Sequence, residues 1–337
     1  LGIGLPLTIV IGTALALGLF PGITFGLALL IRATLATTEA DRGHQVITVT
    51  SVPARVRRLL NVESGLNDGI VAPLITVAIA LAIFGDVDGL TPLFDAIREL
   101  LVAIVAGILI GGAGRWLLIR ADLRKTASSS SRQLATLALA LAAYFIATGL
   151  EASGFIAAFA AGLTFGMGLK DRVESAVSFT EAQGTLFSIL VWLVFGLVVV
   201  SEHVLGLTDP VVVVYALLSL TVVRMVPIAL AFLGTGFDRV SVLFMGWFGP
   251  RGLASVVFVL LGIEALENAG VPSDPLGPVV AWTVVLSVVL HGFSAKPLAQ
   301  WYGRYADGLP ADAAERVGER EPRRPAWQLH MHHRPPS

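Results

Sequence analysis

The sequence predicts an all-α integral membrane protein of about ten transmembrane helices, built as inverted repeats with two broken, crossing helices. Three observations carry this reading. Of the 337 residues, 55% are hydrophobic and only 14% charged, at a mean hydropathy of +0.81, whereas soluble domains average about 25% charged residues. Apolar runs such as 7–19, 70–84, 102–110 and 211–218 extend with their flanks to about 20 residues, enough to cross about 30 Å of hydrocarbon. The charges between the runs also alternate in sign along the chain. A very apolar soluble α/β fold would need strands of about 4–8 residues between turns, and these runs are too long and too numerous for it.

The spans lie near 1–20, 24–49, 62–84, 96–119, 132–150, 153–169, 184–201, 211–233, 240–262 and 277–302. The first begins at Leu1, with no Met and no signal peptide ahead of it, so earlier helices are expected to be missing from this chain. One set of connections holds Arg55, Arg57 and Arg58, then Arg115, Arg120, Arg124, Lys125 and Arg132, then Lys170 and Arg172, Arg239, and finally Lys296 and Arg304. The opposite set holds Asp86, Asp88, Asp95, Glu99, Glu151, Glu202, Asp209, Glu264, Glu267 and Asp274, with Arg98 as its one basic residue. The positive-inside rule makes the first set cytoplasmic, and an even number of spans then puts both ends of the chain in the cytoplasm of a cell-membrane protein.

From 306 to 337 the composition turns to Pro, Arg, Glu and His, which reads as a disordered cytoplasmic tail. His330, His332 and His333 need no metal to explain them there. A net charge of −1 leaves no basic stretch to track the phosphates of a nucleic acid. The absence of cysteine removes any disulfide framework or thiolate metal site.

Ionisable residues at membrane depth cost about 2.5–3.5 kcal/mol each on insertion scales, so each needs a reason. Three clusters stand out. Residues 61–69 (NVESGLNDG) open the third span. Glu63 and Asn67 share a helix face, as do Ser64 and Asp68, while Gly65 and Gly69 admit a close neighbour. Two acids, an amide and a hydroxyl offer hard oxygen ligands for an alkali cation. An N-terminal cap by Asn61 would account for Glu63 but leaves Asp68 without a reason. Residues 37–43 (TTEADRG) sit in the second span, as a helix broken at membrane depth or as a cytoplasmic loop. Residues 246–252 (GWFGPRG) sit in the ninth, where Pro250 and the glycines predict a second break. Arg251 then needs a carboxylate, for which Glu63 is the candidate, unless it snorkels to an interface. Arg224 and His291 also fall inside spans; the first could pair with an acid of the core, and the second is read as a packing or hydrogen-bonding histidine. The second and ninth spans run in opposite directions and each is followed by one more span, as at the midplane site of a secondary transporter.

Residues 61–69 resemble the Asn-Asp signature of the monovalent cation/proton antiporters of the NhaP and sodium/hydrogen exchanger type. Residues 246–255 (GWFGPRGLAS) resemble that family's arginine-bearing broken helix, and 153–166 (SGFIAAFAAGLTFG) and 286–297 (LSVVLHGFSAKP) are similar to further family segments. The resemblance covers about 1–305. It implies a transmembrane antiporter domain over 1–305, with core helices at about 1–84 and 211–302 and the remaining helices at about 96–201. It further implies a homodimer in the lipid bilayer, an elevator-like movement of the core, and loss of a few N-terminal helices from this chain. By position, Asp68 would bind the monovalent cation (Na+, or K+ or Li+) and H+ in turn, with Ser64 and Thr38 helping to ligate. Asn67, Glu63, Arg251 and Glu39 would form the supporting network, exchange would be electroneutral, and no cofactor or enzymatic activity is implied. The sequence departs from the family where a Pro-Thr-Asp stretch is expected: it reads Thr37-Thr38-Glu39, with Asp41 and Arg42 after it, and Arg32 stands at an apolar position. The competing reading is therefore an inactive or degenerate truncated homologue. A channel would call for a filter-like carbonyl loop, and an intramembrane enzyme for an H-E-x-x-H or G-x-S-x-G stretch; neither is present in the sequence.

Overall fold

A computed structural model of the protein describes residues 1–39, 52–85, 91–124, 128–167, 171–204, 206, 209–310 and 312–316, side chains excepted at 91–93, 95–96, 129 and 171–182. The described regular structure is helical: α1 (Gly4–Leu19), α2 (Phe25–Thr34), α3 (Ala54–Phe84), α4 (Thr91–Leu123), α5 (Ser129–Gly149), α6 (Gly154–Gly166) and α7 (Asp171–Val194). α7 runs on through a π-helical turn, Phe195–Val200, into Ser201–His203. Then come α8 (Pro210–Leu220), α9 (Val222–Ala231), α10 (Arg239–Trp247), α11 (Leu253–Asn268), α12 (Leu276–Asp307) and a 3₁₀ turn at Ala314–Arg316. Among the described residues, six helices are long and apolar enough to cross a membrane, and α1, α2 and α6 are shorter apolar helices. Their outward faces are hydrophobic, with Leu109, Phe145 and Leu197 each at least 65% exposed. Such a surface is a liability in water and the expected boundary in lipid. The chain is a multi-pass membrane protein.

Five helix starts are set locally. Thr24, Ser128, Ser153, Asp209 and Asp238 each accept a hydrogen bond from a main-chain N–H of the first turn that follows, and Pro210 occupies the first turn of α8, where no N–H is needed. The third span does not begin at residue 62. α3 starts at Ala54, directly after Pro53, so Asn61 lies two turns inside the helix, exposed, and caps nothing. The eighth span is interrupted at Thr221, whose hydroxyl bonds back to the Leu217 carbonyl (2.7 Å), a contact that bends helices.

The buried core is shared by α1, α2, α3, α8, α11 and α12. Leu30 and Ile31 pack there with Val71, Tyr215, Val256, Val259, Val280 and Val284. α4 and α6 pack by a different device. A Cβ on Gly107 would lie 2.4 Å from the Ala157 carbonyl oxygen, and one on Gly111 would lie 2.3 Å from that of Ala161. Glycines one turn apart on α4 thus face alanines one turn apart on α6, and the two backbones touch.

Part of the segment assigned to the tail is folded. The Glu315 side chain, 1% exposed, accepts the Asp238 N–H (2.8 Å) at the start of α10. Arg55 at the start of α3 donates to the Ala314 carbonyl, and Arg316 donates to that of Ala306 (2.7 Å). The stretch 312–316 therefore ties together the ends of α3, α10 and α12.

Replacing Gly111 with Val is expected to lower stability by about 1–3 kcal/mol through overpacking. Gly112→Ala, whose Cβ would meet only Thr164 Cγ2 at 3.9 Å, should melt like the parent. Thermal unfolding in detergent checks both, and equal melting of the two variants would contradict the helix contact.

Candidate functional site

α2 ends at Thr34 and the chain continues without helix through Thr37, Thr38 and Glu39; α10 ends at Trp247 and the chain continues without helix to Gly252. The break predicted in the ninth span is present, and the non-helical stretch after α2, which the sequence left open between a broken helix and a loop, meets it. The Glu39 N–H donates to the Pro250 carbonyl (2.9 Å). The Ser255 hydroxyl, at the start of α11, donates to the Thr34 carbonyl (2.9 Å) and lies 2.7 Å from the Thr37 hydroxyl. A Cβ on Gly252 would fall 2.3 Å from the Glu39 Cβ, so the crossing demands a glycine there.

Against this crossing α3 lays Ser64, Asn67 and Asp68. The Asn67 amide donates to the Thr38 hydroxyl (2.9 Å), and that hydroxyl donates to Ser64 Oγ (3.3 Å). Asn67 is buried and Asp68 half-buried. Asp68, Ser64, Thr37, Thr38 and Glu39 line a cavity of about 470 Å³ together with apolar side chains: Phe155 and Phe159 of α6, and Val257 and Phe258 of α11. Phe159 reaches so far in because its neighbour is Gly69, where a Cβ would sit 2.0 Å from the Phe159 ring. Pro73, inside α3, removes the N–H that would bond the Gly69 carbonyl one turn past Asp68. Carboxylate and hydroxyl oxygens are donors of the kind that suit a hard cation.

The charged network differs from the sequence expectation. Glu63 binds Arg224 of α9, not Arg251: Arg224 donates Nη2 to Glu63 Oε2 (2.9 Å) and Nη1 to Oε1 in a bidentate pair. Gly249 opens the way, since a Cβ there would lie 2.5 Å from Arg224 Nε. Arg251 instead turns its Nη1 to the Thr37 carbonyl (3.1 Å), beyond the C-terminal end of α2, where helix carbonyls concentrate negative charge. It is fully buried and does not snorkel. Arg32 is also fully buried and donates Nη1 to Ser219 Oγ (2.9 Å). It lies flat on Gly12, where a Cβ would meet Arg32 Cδ at 2.0 Å.

Of the residues singled out by sequence, Asp68, Ser64, Thr38, Asn67 and Glu39 are brought together; Glu63 and Arg251 stand behind them with separate partners. Asp41 and Arg42 lie outside the described residues. Sequence reasoning missed Ser255, Ser287, Phe155 and Phe159. The serines carried a faint signal, as hydroxyls one helical turn from Arg251 and His291 respectively; the phenylalanines carried none, being two apolar residues in an apolar helix.

The family model described as sodium/hydrogen exchanger, transmembrane, matches residues 1–301. The K(+)/H(+) antiporter NhaP of Alkalimonas amylolytica is 28% identical over 293 residues, 86% of this chain and 49% of that protein. The Na(+)/H(+) antiporter of Schizosaccharomyces pombe is 26% identical over 320 residues, 85% of this chain and 67% of that protein. The chain thus spans about half the length of the first relative. The solved structure of the sodium proton antiporter MjNhaP1 from Methanocaldococcus jannaschii at pH 8 superposes with a TM-score of 0.68 at 22% identity, over 86% of this chain and 76% of that one. At that identity the likeness concerns the fold.

Because Arg224→Ala leaves the Glu63 charge without its partner, it is expected to cost about 3–5 kcal/mol of stability. Adding Glu63→Gln should recover part of that loss. Thermal melting of the two single variants and the double variant measures the coupling; strictly additive losses would argue against the pair.

Proposed function

The chain belongs to the sodium/hydrogen exchanger family, and we propose that it carries the ion-exchanging site of a secondary transporter that moves Na+, or K+, against H+. The observation that carries this reading is Asp68 on the wall of a cavity lined by Thr38, Ser64 and Glu39, beside two helix breaks that face each other. Its relatives are named as Na(+)/H(+) and K(+)/H(+) antiporters.

In this mechanism one carboxylate serves both ions. A cation entering the cavity exchanges its water for the Asp68 carboxylate, helped by the Ser64 and Thr38 oxygens. A proton on Asp68 removes the negative charge and expels the cation. Asn67 holds Thr38 by its hydroxyl, so that the Thr38 oxygen presents a fixed face. Glu63 and Arg224 neutralise one another behind the site and leave Asp68 as the titrating group. Only the occupied, neutral forms cross between the two access states, so exchange is one cation for one proton and electroneutral. Core helices from about 1–84 and 211–302 would move as a unit against those from about 96–201, where Phe155 and Phe159 offer an apolar surface to slide on. The assembly is a homodimer in the cell membrane, with both ends of this chain in the cytoplasm.

Proteoliposomes containing the chain, with a pH dye inside, are expected to change internal pH when Na+ or K+ is added outside. Asp68→Asn should reduce that flux to the level of empty vesicles while melting normally. Below the Asp68 titration range, the apparent KM for the cation should rise about tenfold per unit fall in pH, as competition for one group requires. Exchange retained by Asp68→Asn would sink the mechanism. No flux from folded parent protein would favour a degenerate homologue.

A further inference from the structure

The helix that begins as α7 changes partners along its length. α7 itself, Asp171–Val194, packs along α5 and touches α11. The π-helical turn Phe195–Val200 and the segment Ser201–His203 that follows pack on α12. Phe195 and Val199 are buried in the core cluster with Leu276, Val279 and Val280. Four residues further on, His203 lies against Gly277, where a Cβ would meet its Nε2 at 2.7 Å. In an α-helix, steps of four residues drift by about 40° each around the axis. A turn bonded i→i+5 holds more residues, so positions 195, 199 and 203 stay on one side, toward α12.

The turn is also loosely built. Gly196 stands within it, and a Cβ there would meet nothing within 4 Å. The Ser201 hydroxyl is shared between the Leu197 carbonyl and the Val198 carbonyl (3.1 Å), a back-bond of the kind that bends helices. π-helical turns are among the few causes of a sharp kink.

We propose that the turn Phe195–Val200 is the hinge at which the core helices move against those of about 96–201, so that residues 195–203 travel with the core. This rests on the exchange reading above, and it shifts the boundary between the two groups from the loop after α7 to a point inside the helix. The helix has joined α12 before the chain leaves it at Val204. A rigid rod would therefore have to give up either α5 or α12 whenever the two groups move. A turn whose bonds pass between i→i+5 and i→i+4 takes up the movement and keeps both contacts. The contact of α7 with α11 is then the one that slides.

The chain has no cysteine, so spin labels can be placed on cysteines substituted at exposed positions. Leu141 of α5, Leu190 of α7, Glu202 after the turn and Val289 of α12 are suitable. Distances are read by pulsed electron paramagnetic resonance on the full chain in nanodiscs, at alkaline pH with Na+ or K+ and at acid pH without them. The Leu141-to-Leu190 and Glu202-to-Val289 distances should hold, while Leu190-to-Val289 changes by more than about 2 Å, the scale of a domain rearrangement. If either of the first two changes with the third, the helix moves as one rod, which overturns the hinge; three fixed distances overturn it as well. Deleting Gly196 lets the turn close to i→i+4 bonding with the flanking register kept. Flux in proteoliposomes should then fall about tenfold or more, with melting like the parent's. Parent-like flux in that variant overturns the proposal, and if the variant does not fold, the distances in the parent decide. Because the labels are read without transport, a parent that shows no flux strikes the exchange reading alone.

Discussion

A helix that stops inside an apolar bundle leaves main-chain N–H and C=O groups that neither lipid nor hydrocarbon side chains can satisfy. Two helices stop here, α2 at Thr34 and α10 at Trp247, and most of what defines the site follows from how those groups find partners. They find them largely in each other: Glu39 N–H with the Pro250 carbonyl, the Thr34 carbonyl with Ser255, the Thr37 carbonyl with Arg251. Pro250 helps by having no N–H to place. Gly252 helps by having no Cβ, which would strike Glu39. The chain is held open at this crossing, and Thr37 and Thr38 reach the cavity beside Asp68.

The buried charges are managed by unlike means. Arg224 has a carboxylate, Arg251 a carbonyl at a helix end, and Arg32 a serine hydroxyl. The magnitudes separate the three. Removing one partner of a buried ion pair costs about 3–5 kcal/mol, while a typical hydrogen bond contributes about 0.5–1.5 kcal/mol net. The bidentate Glu63–Arg224 pair is accordingly the strongest single tie between α3, which bears Asp68, and α9. α4 and α6 carry no such pair between them and rely on backbone contact at Gly107 and Gly111.

The helical class, most of the spans, the break at Pro250 and the Ser64–Asn67–Asp68 face were legible because each depends on residues close in sequence. Apolar runs and flanking charges mark a span, a proline between glycines marks a break, and spacing of three and four marks a helix face. The start of α3 was misplaced because a helix can run well past the hydrocarbon edge. Residues 54–61 are helical yet polar enough to look like a connection. The interruption at Thr221 had no marker, since threonine in a helix is ordinary and only its bond to the Leu217 carbonyl bends the chain.

The partner of Glu63 shows where local reading ends. From sequence, Arg224 and Arg251 are two arginines on two different spans, each able in principle to reach an acid on a third. The choice was made by Gly249, whose missing side chain lets Arg224 pass the break, and by the stretch after α2, which offers Arg251 the Thr37 carbonyl at 3.1 Å. By itself the sequence determined membrane residence, the order of the helices, the break at Pro250, and the acid that faces the gap. Those properties are summed along the chain, from hydropathy, charge and backbone freedom. Only the tertiary structure decided which buried charge meets which, which apolar side chains line the cavity with Asp68, and where the nitrogens of His291 point. Those depend on distances between segments far apart in the chain, and side-chain length alone leaves several pairings open until the helices are packed.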